Sequence, residues 1–505
     1  MKKFSCIAAA AALLLAGCGN TQGGGELPGG KQVAPDPKLQ PFYTQKVKWG
    51  TCPDNVTDAP DMQCGTVKVP LNYENPSGET ISLQAARLKR TPKKPRGALF
   101  MNPGGPGQSA TDILVGISGA SFSSSVMNNY IVVAVDPRGV GHSNPIRCLS
   151  DKQRDISRNG YVGTDLLADA KKEVETFMNG CLKNNPELAK TMDTQTHARD
   201  LDITRAAVGD TKLNYVGYSY GSMLGATYAS LFPKTVGRMV LDGIVDPNRS
   251  ADNMAKGQGL GFETATRHFL KTEQFEKGLS KNPNEALRQL QAFLESLDKK
   301  PLRTNQPTRP LTRALATEGI AALLYNTETY PTLRDALTQA LDKHDGSQLL
   351  YFADTNSGRD SSGKYEENSA DAIVLINNLD YQPEGDMELW KKQAAEINRL
   401  TPTYKDLFTY TDYMLAVSPL KGPKRQPVKF GALPHIVIVG NLHDPATPYD
   451  NAVSLHKQLP NSSLITLDSW NHCGYSGIST CVTKNVEKYL VDGVVPPKKV
   501  SCKVD

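Results

Sequence analysis

Gly217-Tyr218-Ser219-Tyr220-Gly221 follows a strand-like run, Leu213-Asn214-Tyr215-Val216, and leads into Ser222 to Leu231, a helix-like stretch in which Gly221 and Gly225 permit close packing on a sheet. A serine between two glycines at a strand-to-helix junction makes a sharp turn that presents its hydroxyl at the carboxyl edge of the sheet. The five-residue pattern also arises by chance. Its meaning therefore depends on whether the chain supplies the rest of the chemistry.

A serine hydroxyl is a poor nucleophile until a histidine takes its proton, and that histidine needs a carboxylate to fix its tautomer and steady the imidazolium. In a sheet of this kind the acid and then the base follow the serine, each on a loop after a late strand. Pro434 to Gly440 is a continuous apolar run of buried-strand type that opens into Asn441-Leu442-His443-Asp444-Pro445-Ala446-Thr447-Pro448, so Asp444 is the expected acid. Ser463 to Leu467 is the next short strand, opening into Asp468-Ser469-Trp470-Asn471-His472, and His472 is the expected base. Of the eight histidines, His142, His197, His268, His344, His435 and His456 fall before the acid, inside predicted strands or on helix-like stretches. His443 adjoins Asp444, and neighbours on an extended loop point apart. Asp242 and Asp246, after the strand ending Val240-Leu241, offer an alternative acid and are expected to shape the wall of the site.

The tetrahedral intermediate of acyl transfer needs two backbone donors, one of them from the residue after the nucleophile, here Tyr220. Gly97 to Met101 reads as an earlier strand, followed by Asn102-Pro103-Gly104-Gly105-Pro106-Gly107. Glycine permits close backbone approach and Pro106 has no amide hydrogen, so Gly105 is the expected second donor. The plainer reading of this segment is a tight turn. No Cys-x-x-Cys pair or His-Glu-x-x-His helix points to a metal, and no Walker loop points to a nucleotide. Gly139-Val140-Gly141 follows the strand Tyr130 to Val135 but lacks the third glycine of a dinucleotide fingerprint. No cofactor is expected.

Asn102 to Gly107, Asp136-Pro137-Arg138-Gly139-Val140-Gly141-His142-Ser143, the serine turn and Asp444-Pro445-Ala446-Thr447-Pro448 occur together. With these, the chain resembles the tripeptidyl aminopeptidase family of secreted α/β-hydrolases, related to proline iminopeptidases, and especially the lipoprotein serine hydrolases of actinobacterial cell envelopes. The similarity runs from about Trp49 to the C-terminus and includes Phe352-Ala353-Asp354 through Gly358-Arg359-Asp360 and Ile376 to Tyr381. It implies release of short peptides from free N-termini by acyl-enzyme chemistry. Two departures stand out: the family usually has cysteines where Asn378 stands and near Leu415, and it commonly has glycine where Cys473 follows the histidine. Cys473 reads as a small buried filler, with a reactive thiol as the competing reading.

Lys2 and Lys3 precede the apolar run Ile7 to Leu15, and Leu15-Ala16-Gly17-Cys18 is a lipobox, so residues 1–18 read as a removed signal with Cys18 left for lipid attachment. Residues 19–42 are rich in glycine and proline and read as a flexible tether. The expected location is outside the cytoplasm, held to the outer face of the membrane or in the cell envelope. Nine cysteines less Cys6 and Cys18 leave seven. An oxidising compartment favours bridges, and local pairing suggests Cys52–Cys64, Cys148–Cys181 and Cys481–Cys502, with Cys473 free.

A formal charge of +5 over 505 residues, with no basic run, argues against a nucleic-acid partner. Apolar strands alternate with helical stretches such as Asp165 to Met178 and Thr196 to Val208, as in a mostly parallel sheet with helices on both faces, an α/β-hydrolase fold. The core is expected in residues 43–247 and 421–505. Between them, residues 248–420 turn helical, charged and polar, as in Asn284 to Leu297 and Tyr330 to Leu341, and read as an inserted cap over the site. An exopeptidase must hold the substrate's ammonium group, which calls for a desolvated carboxylate in the cap. Asp380 heads the candidates, before Glu263, Glu318, Glu366 and Glu367. The expected activity is that of an exported serine peptidase releasing short units, tripeptides foremost, from free N-termini. The same parts would serve a carboxylesterase or lipase of small or lipid esters, and a non-catalytic binding lipoprotein is the remote alternative.

Overall fold

The computed structural model describes residues 34–90, 92–160, 165–423 and 427–505. Cys18 and the signal lie outside the described residues.

Every residue of the strand Ala98–Asn102 is buried, as is every residue of Ile436–Asn441, which is what unbroken apolar runs require when helices cover both faces of a sheet. The strands are β1 (Gly50–Thr51), β2 (Met62–Pro70), β3 (Thr80–Leu88), β4 (Ala98–Asn102), β5 (Ile131–Val135), β6 (Leu213–Tyr218), β7 (Val236–Asp242), β8 (Ile436–Asn441), β9 (Ser462–Asp468) and β10 (Lys499–Lys503). They form one sheet in the order β1-β2-β3-β5-β4-β6-β7-β8-β9-β10. Pairing is antiparallel from β1 to β5 through β2 and β3, and parallel from β5 to β10. Alternate residues feed opposite layers: Phe100, Tyr215, Leu241 and Ile438 pack on one face, Leu99, Val216, Val240 and Val439 on the other. The parallel strands therefore all end at one edge, where the serine turn and both late loops emerge.

Helix boundaries follow capping chemistry. Asp165 accepts from the amides of Leu167 and Ala168 to start Leu166–Asn184, and Asp193 accepts from Thr196 to start Thr194–Val208. Of the predicted tether over 19–42, residues 34–42 are described, and they pack on the core. Asp36 caps a turn at Pro37–Leu39, Leu39 and Tyr43 are buried, and Tyr43 Oη donates to Asp202 Oδ2 at 2.6 Å. Apolar anchoring outweighs the glycine and proline content there. Disulfides join Cys52 to Cys64, Cys148 to Cys181 and Cys481 to Cys502, and Cys473 is the free cysteine among the described residues.

Between β7 and β8 the chain forms helices, beginning with Ala251–Thr272 and Pro283–Lys299 and ending with Met387–Leu400 and Thr411–Val417. In Pro283–Lys299 the buried Leu287, Leu290, Leu294 and Leu297 recur at helical spacing and join a separate core with Phe262, Leu315 and Leu337. Where the family has cysteines, Asn378 Nδ2 donates to the Leu420 carbonyl at 2.8 Å and Leu415 packs with Ala251 and Tyr381.

Asp354 explains the polar motif around it. Its carboxylate accepts Arg158 Nη1 at 2.9 Å and Arg309 Nη2 at 2.9 Å, with Arg359 Nη1 at 3.5 Å, and all four side chains are nearly buried. Arg158 comes from the first half of the core sequence, so this cluster ties cap to core. Removing the carboxylate leaves Arg158 with Glu318 and Arg359 with Asp155 but takes from the buried Arg309 its hydrogen-bonded anion, which costs about 3–5 kcal/mol. D354A is accordingly expected to lower the urea midpoint of unfolding by that equivalent.

Candidate active site

Ser219 follows β6 in a backbone conformation of φ 55° and ψ −124°, strained for any residue with a Cβ. The neighbours enforce it. The Ser219 amide donates to the Asp242 carbonyl at 2.8 Å, and the Ser219 carbonyl accepts the Ser222 amide at 2.8 Å and the Ser222 hydroxyl at 2.6 Å. A Cβ on Gly217 would sit 2.2 Å from the Gly221 carbonyl oxygen, and one on Gly221 would sit 2.6 Å from the Asn102 carbonyl oxygen. Both flanking positions thus exclude any side chain.

The glycine loop after β4 lies against this turn. A Cβ on Gly104 would fall 2.8 Å from Ser219 Cβ and 3.1 Å from the Tyr220 amide nitrogen. The Gly104 amide donates to Asn102 Oδ1 at 3.0 Å, and Pro106 has no N–H, so Gly105 carries the loop's next amide. Tyr220 opens the helix Tyr220–Leu231, and its amide belongs to the first turn, where intrahelical partners are lacking.

Asp444 and His472 meet directly. Nδ1 of His472 lies 2.9 Å from Asp444 Oδ1 and 3.0 Å from Oδ2, with Thr447 Oγ1 at 3.3 Å. The Asp444 side chain is fully buried and also accepts the amides of Ala446 (2.9 Å), Thr447 (2.8 Å) and Cys473 (3.2 Å). Burial works to lower the proton affinity of His472, but the charge and hydrogen bond of Asp444, helped by the charge of Asp242, raise it above the ordinary value of 6.5. The histidine reaches the serine turn through Gly243, on which a Cβ would lie 3.2 Å from His472 Cε1 and 2.6 Å from Cys473 Sγ. Gly243 follows Asp242, whose carbonyl holds the Ser219 amide.

The cap closes over this point. The His472 amide donates to the Tyr325 carbonyl at 2.8 Å, and the Tyr325 ring stands edge-on to the imidazole with centroids 5.3 Å apart. Nothing in the sequence around Tyr325 signalled that contact. Cap helix Ala251–Thr272 rests on the acid loop, where a Cβ on Gly261 would meet the Pro445 carbonyl oxygen at 2.4 Å.

The remaining sequence candidates have other surroundings. His443 stacks on Trp470 at 4.1 Å, and His268 of the cap stacks on the other face at 3.6 Å. Asp246 faces Ser454 and Gln458 of the helix Tyr449–Gln458, and Glu263 and Glu318 are engaged by Arg267 and Arg158. Glu366 is exposed, and Glu367 lies near Asp112. Asp380 is engaged by the core. Its oxygens accept the amide (2.7 Å) and hydroxyl (2.6 Å) of Thr194 at the start of the helix Thr194–Val208. Cys473 is buried, and burial with the charges of Asp242 and Asp444 pushes its thiol far up, so it stays neutral. Among the described residues, no group of three or more His, Cys, Asp or Glu is arranged to hold a metal, and no helix is long and apolar enough to cross a membrane.

A second acidic pair escaped the sequence reading. Asp252 and Asp412, 3% and 1% exposed, begin two cap helices, and the Asp412 amide donates to Asp252 Oδ1 at 3.2 Å. Asp252 Oδ2 and the carboxylate oxygens of Asp412 are buried and poorly satisfied, the Glu384 backbone approaching the Asp412 carboxyl. Burial and the charges of Asp252 and Glu384 push the Asp412 carboxyl up to about 7. Polar, charged cap sequence surrounds both residues, so nothing distinguished them from surface acids.

A serine turn, two backbone amides and a buried carboxylate–imidazole pair at one sheet edge are the parts of an acyl-transfer site. A model of the alpha/beta hydrolase fold matches residues 97–476. The chain belongs to the α/β-hydrolase family. Serine protease Hip1 of Mycobacterium tuberculosis is 32% identical over 98% of this chain and 96% of its own length. Carboxylesterase B of the same organism is 31% identical over 97% and 94%, and tripeptidyl aminopeptidase of Streptomyces lividans is 29% identical over 90% and 86%. The resemblance read from the sequence motifs is to this group. This α/β-hydrolase is a serine hydrolase.

Proposed function

We propose that the chain is an extracytoplasmic serine peptidase that releases short units, tripeptides foremost, from free peptide N-termini through an acyl-enzyme. Ser219 attacks the carbonyl, His472 takes its proton and returns it to the leaving amine, Asp444 holds the tautomer, and the amides of Gly105 and Tyr220 bind the oxyanion. The observation that carries this reading is the buried Asp444–His472 pair, anchored to the Ser219 turn through Gly243 and Asp242 beneath a helical cap. The three disulfides suit an oxidising compartment, and Cys18 is the proposed lipid attachment point that would hold the enzyme at a membrane.

Relatives bear both protease and carboxylesterase names, and the triad serves either reaction. What favours the peptidase is the Asp252–Asp412 pair. A substrate ammonium group withdrawn from water needs carboxylate oxygens that no protein cation already holds, and the buried Asp252–Asp412 pair supplies them, its raised proton affinity being what a bound cation would relieve. Asp380, which heads the sequence candidates, already accepts from Thr194 on both oxygens, so we place the ammonium on this pair first. Packing links the pair to the serine turn: Ala251, Tyr381 and Leu415 form one cluster, and Asp380, beside Tyr381, binds the Thr194 hydroxyl that also meets the Tyr220 hydroxyl.

Kinetics on a tripeptidyl anilide, free and N-acetylated, test this reading. Acetylation is expected to lower kcat/KM at least about 100-fold, the order of one lost charge-assisted contact, and D412N is expected to abolish most of that difference. Faster turnover of acyl esters with indifference to acetylation would establish the esterase. D412N is also expected to raise thermal stability above pH 7. The folded carboxyl binds its proton more tightly than the unfolded one, so its cost to stability grows as pH rises from the ordinary value of 3.8 to about 7 and is complete above that. A merely structural acid would instead lower stability when replaced.

A further inference from the structure

Asp242 touches both halves of the site. It is the last residue of β7 and is fully buried, and its carboxylate accepts the Gly474 amide at 3.0 Å on each oxygen and the Tyr475 amide at 2.7 Å. Those amides lie two and three residues past His472. Between them and the imidazole stands Cys473, at φ 66°, in the left-handed region that residues with a Cβ avoid. The turn is held from three sides: the Cys473 amide donates to Asp444 Oδ2, Asn441 Nδ2 donates to the carbonyls of Asn471 (2.7 Å) and Cys473 (2.9 Å), and Asp242 grips the outgoing chain at Gly474 and Tyr475. The same residue's carbonyl accepts the Ser219 amide. One residue therefore fixes both the nucleophile's turn and the base's loop.

From this geometry we infer that Asp242 is a positioning residue, which sets the distance and orientation of His472 relative to Ser219 and whose negative charge supports the protonated imidazole formed during acyl transfer. The inference rests on His472 being the base. Asp242 differs from Asp444 in touching no imidazole nitrogen: it acts through the backbone at 474–475 and through its field. The titratable groups facing it are His472, Asp444, the Cys473 thiol and Tyr218, the last of which donates through its hydroxyl to the Tyr475 carbonyl at 3.2 Å. Burial lifts the Asp242 carboxyl to about 6 against the hydrogen bonds from Tyr475 and Gly474, so it is anionic at neutral pH. Its charge adds to the proton affinity of His472.

D242N is the direct test, because asparagine keeps one acceptor for the two amides and removes the charge. Expected is a fall in kcat of about 10- to 100-fold, the scale of a slight misplacement of a catalytic group, with KM within twofold. The acidic limb of kcat/KM should also move to lower pH, since the imidazole loses a stabilising anion. Reaction with a fluorophosphonate should slow in parallel. That probe needs no peptide specificity, so parallel slowing supports the role of Asp242 even if the aminopeptidase reading fails. Where D242N alone does not fold, C473G/D242N provides the same measurement, because glycine adopts φ 66° without strain, and C473G is its reference. Unchanged kcat in a folded D242N enzyme would overturn the inference. So would an acidic limb that stays in place while activity and melting temperature fall together, which would make Asp242 a structural residue only.

Discussion

Replacing Ser219 by alanine is expected to lower kcat about 10⁶-fold while the dissociation constant for a free tripeptide stays within a fewfold. The asymmetry follows from where the serine sits. Its hydroxyl belongs to a turn held by Asp242, Ser222 and two glycines that admit no side chain, and alanine accepts the same backbone with the loss of one oxygen. The proposed ammonium contacts lie in the cap and are untouched by the change. Only the acylation path disappears, so residual hydrolysis would come from the amides and from positioning alone. Parallel losses of binding and turnover would mean that the serine turn had collapsed, which melting of the variant would reveal.

D444N is expected to cost about 10⁴-fold in kcat. Asp444 Oδ1 accepts the amides of Ala446 and Thr447, and Oδ2 accepts that of Cys473. An asparagine that keeps its oxygen on the first two turns its NH₂ toward the Cys473 amide and His472 Nδ1. The imidazole must then present a lone pair at Nδ1 and carry its proton on Nε2, the nitrogen that should receive the serine proton. Flipping the amide only moves the clash to Ala446 and Thr447. The loss should shrink slowly as pH rises, because hydroxide substitutes for a missing base. A loss under tenfold would show that another carboxylate orients the histidine, with Asp242 the first to examine.

The parts legible in the sequence were those with strong local signatures. Unbroken apolar runs became β4, β5, β6 and β8, and the glycine-flanked serine became the strained turn between β6 and its helix. Capped amphipathic stretches became helices whose starts fall within two residues, because Asp165 and Asp193 cap them, although Leu166–Asn184 runs six residues past Met178. The antiparallel β2 and β3 gave less signal, since one face is partly solvated and β2 alternates buried and open residues. β10 buries Cys502 and leaves its other residues more open, so its pairing with β9 is visible only in three dimensions. Contacts between distant segments were equally silent. Tyr325 meets the histidine loop across more than a hundred residues, and Thr194, which hydrogen-bonds Asp380 of the recognisable cap motif, comes from the core. Asp252 and Asp412 are surface-like acids in composition, buried only by the packing of the cap helices around them.

The most direct test is to react the enzyme with a fluorophosphonate and map the adduct by mass spectrometry in the wild type, H472A and D444N. A single adduct on Ser219, formed rapidly in the wild type and orders of magnitude more slowly in both variants, is the expected result. An adduct on another residue, or labelling of Ser219 at an undiminished rate without His472, would contradict the assignment of these three side chains to one catalytic unit.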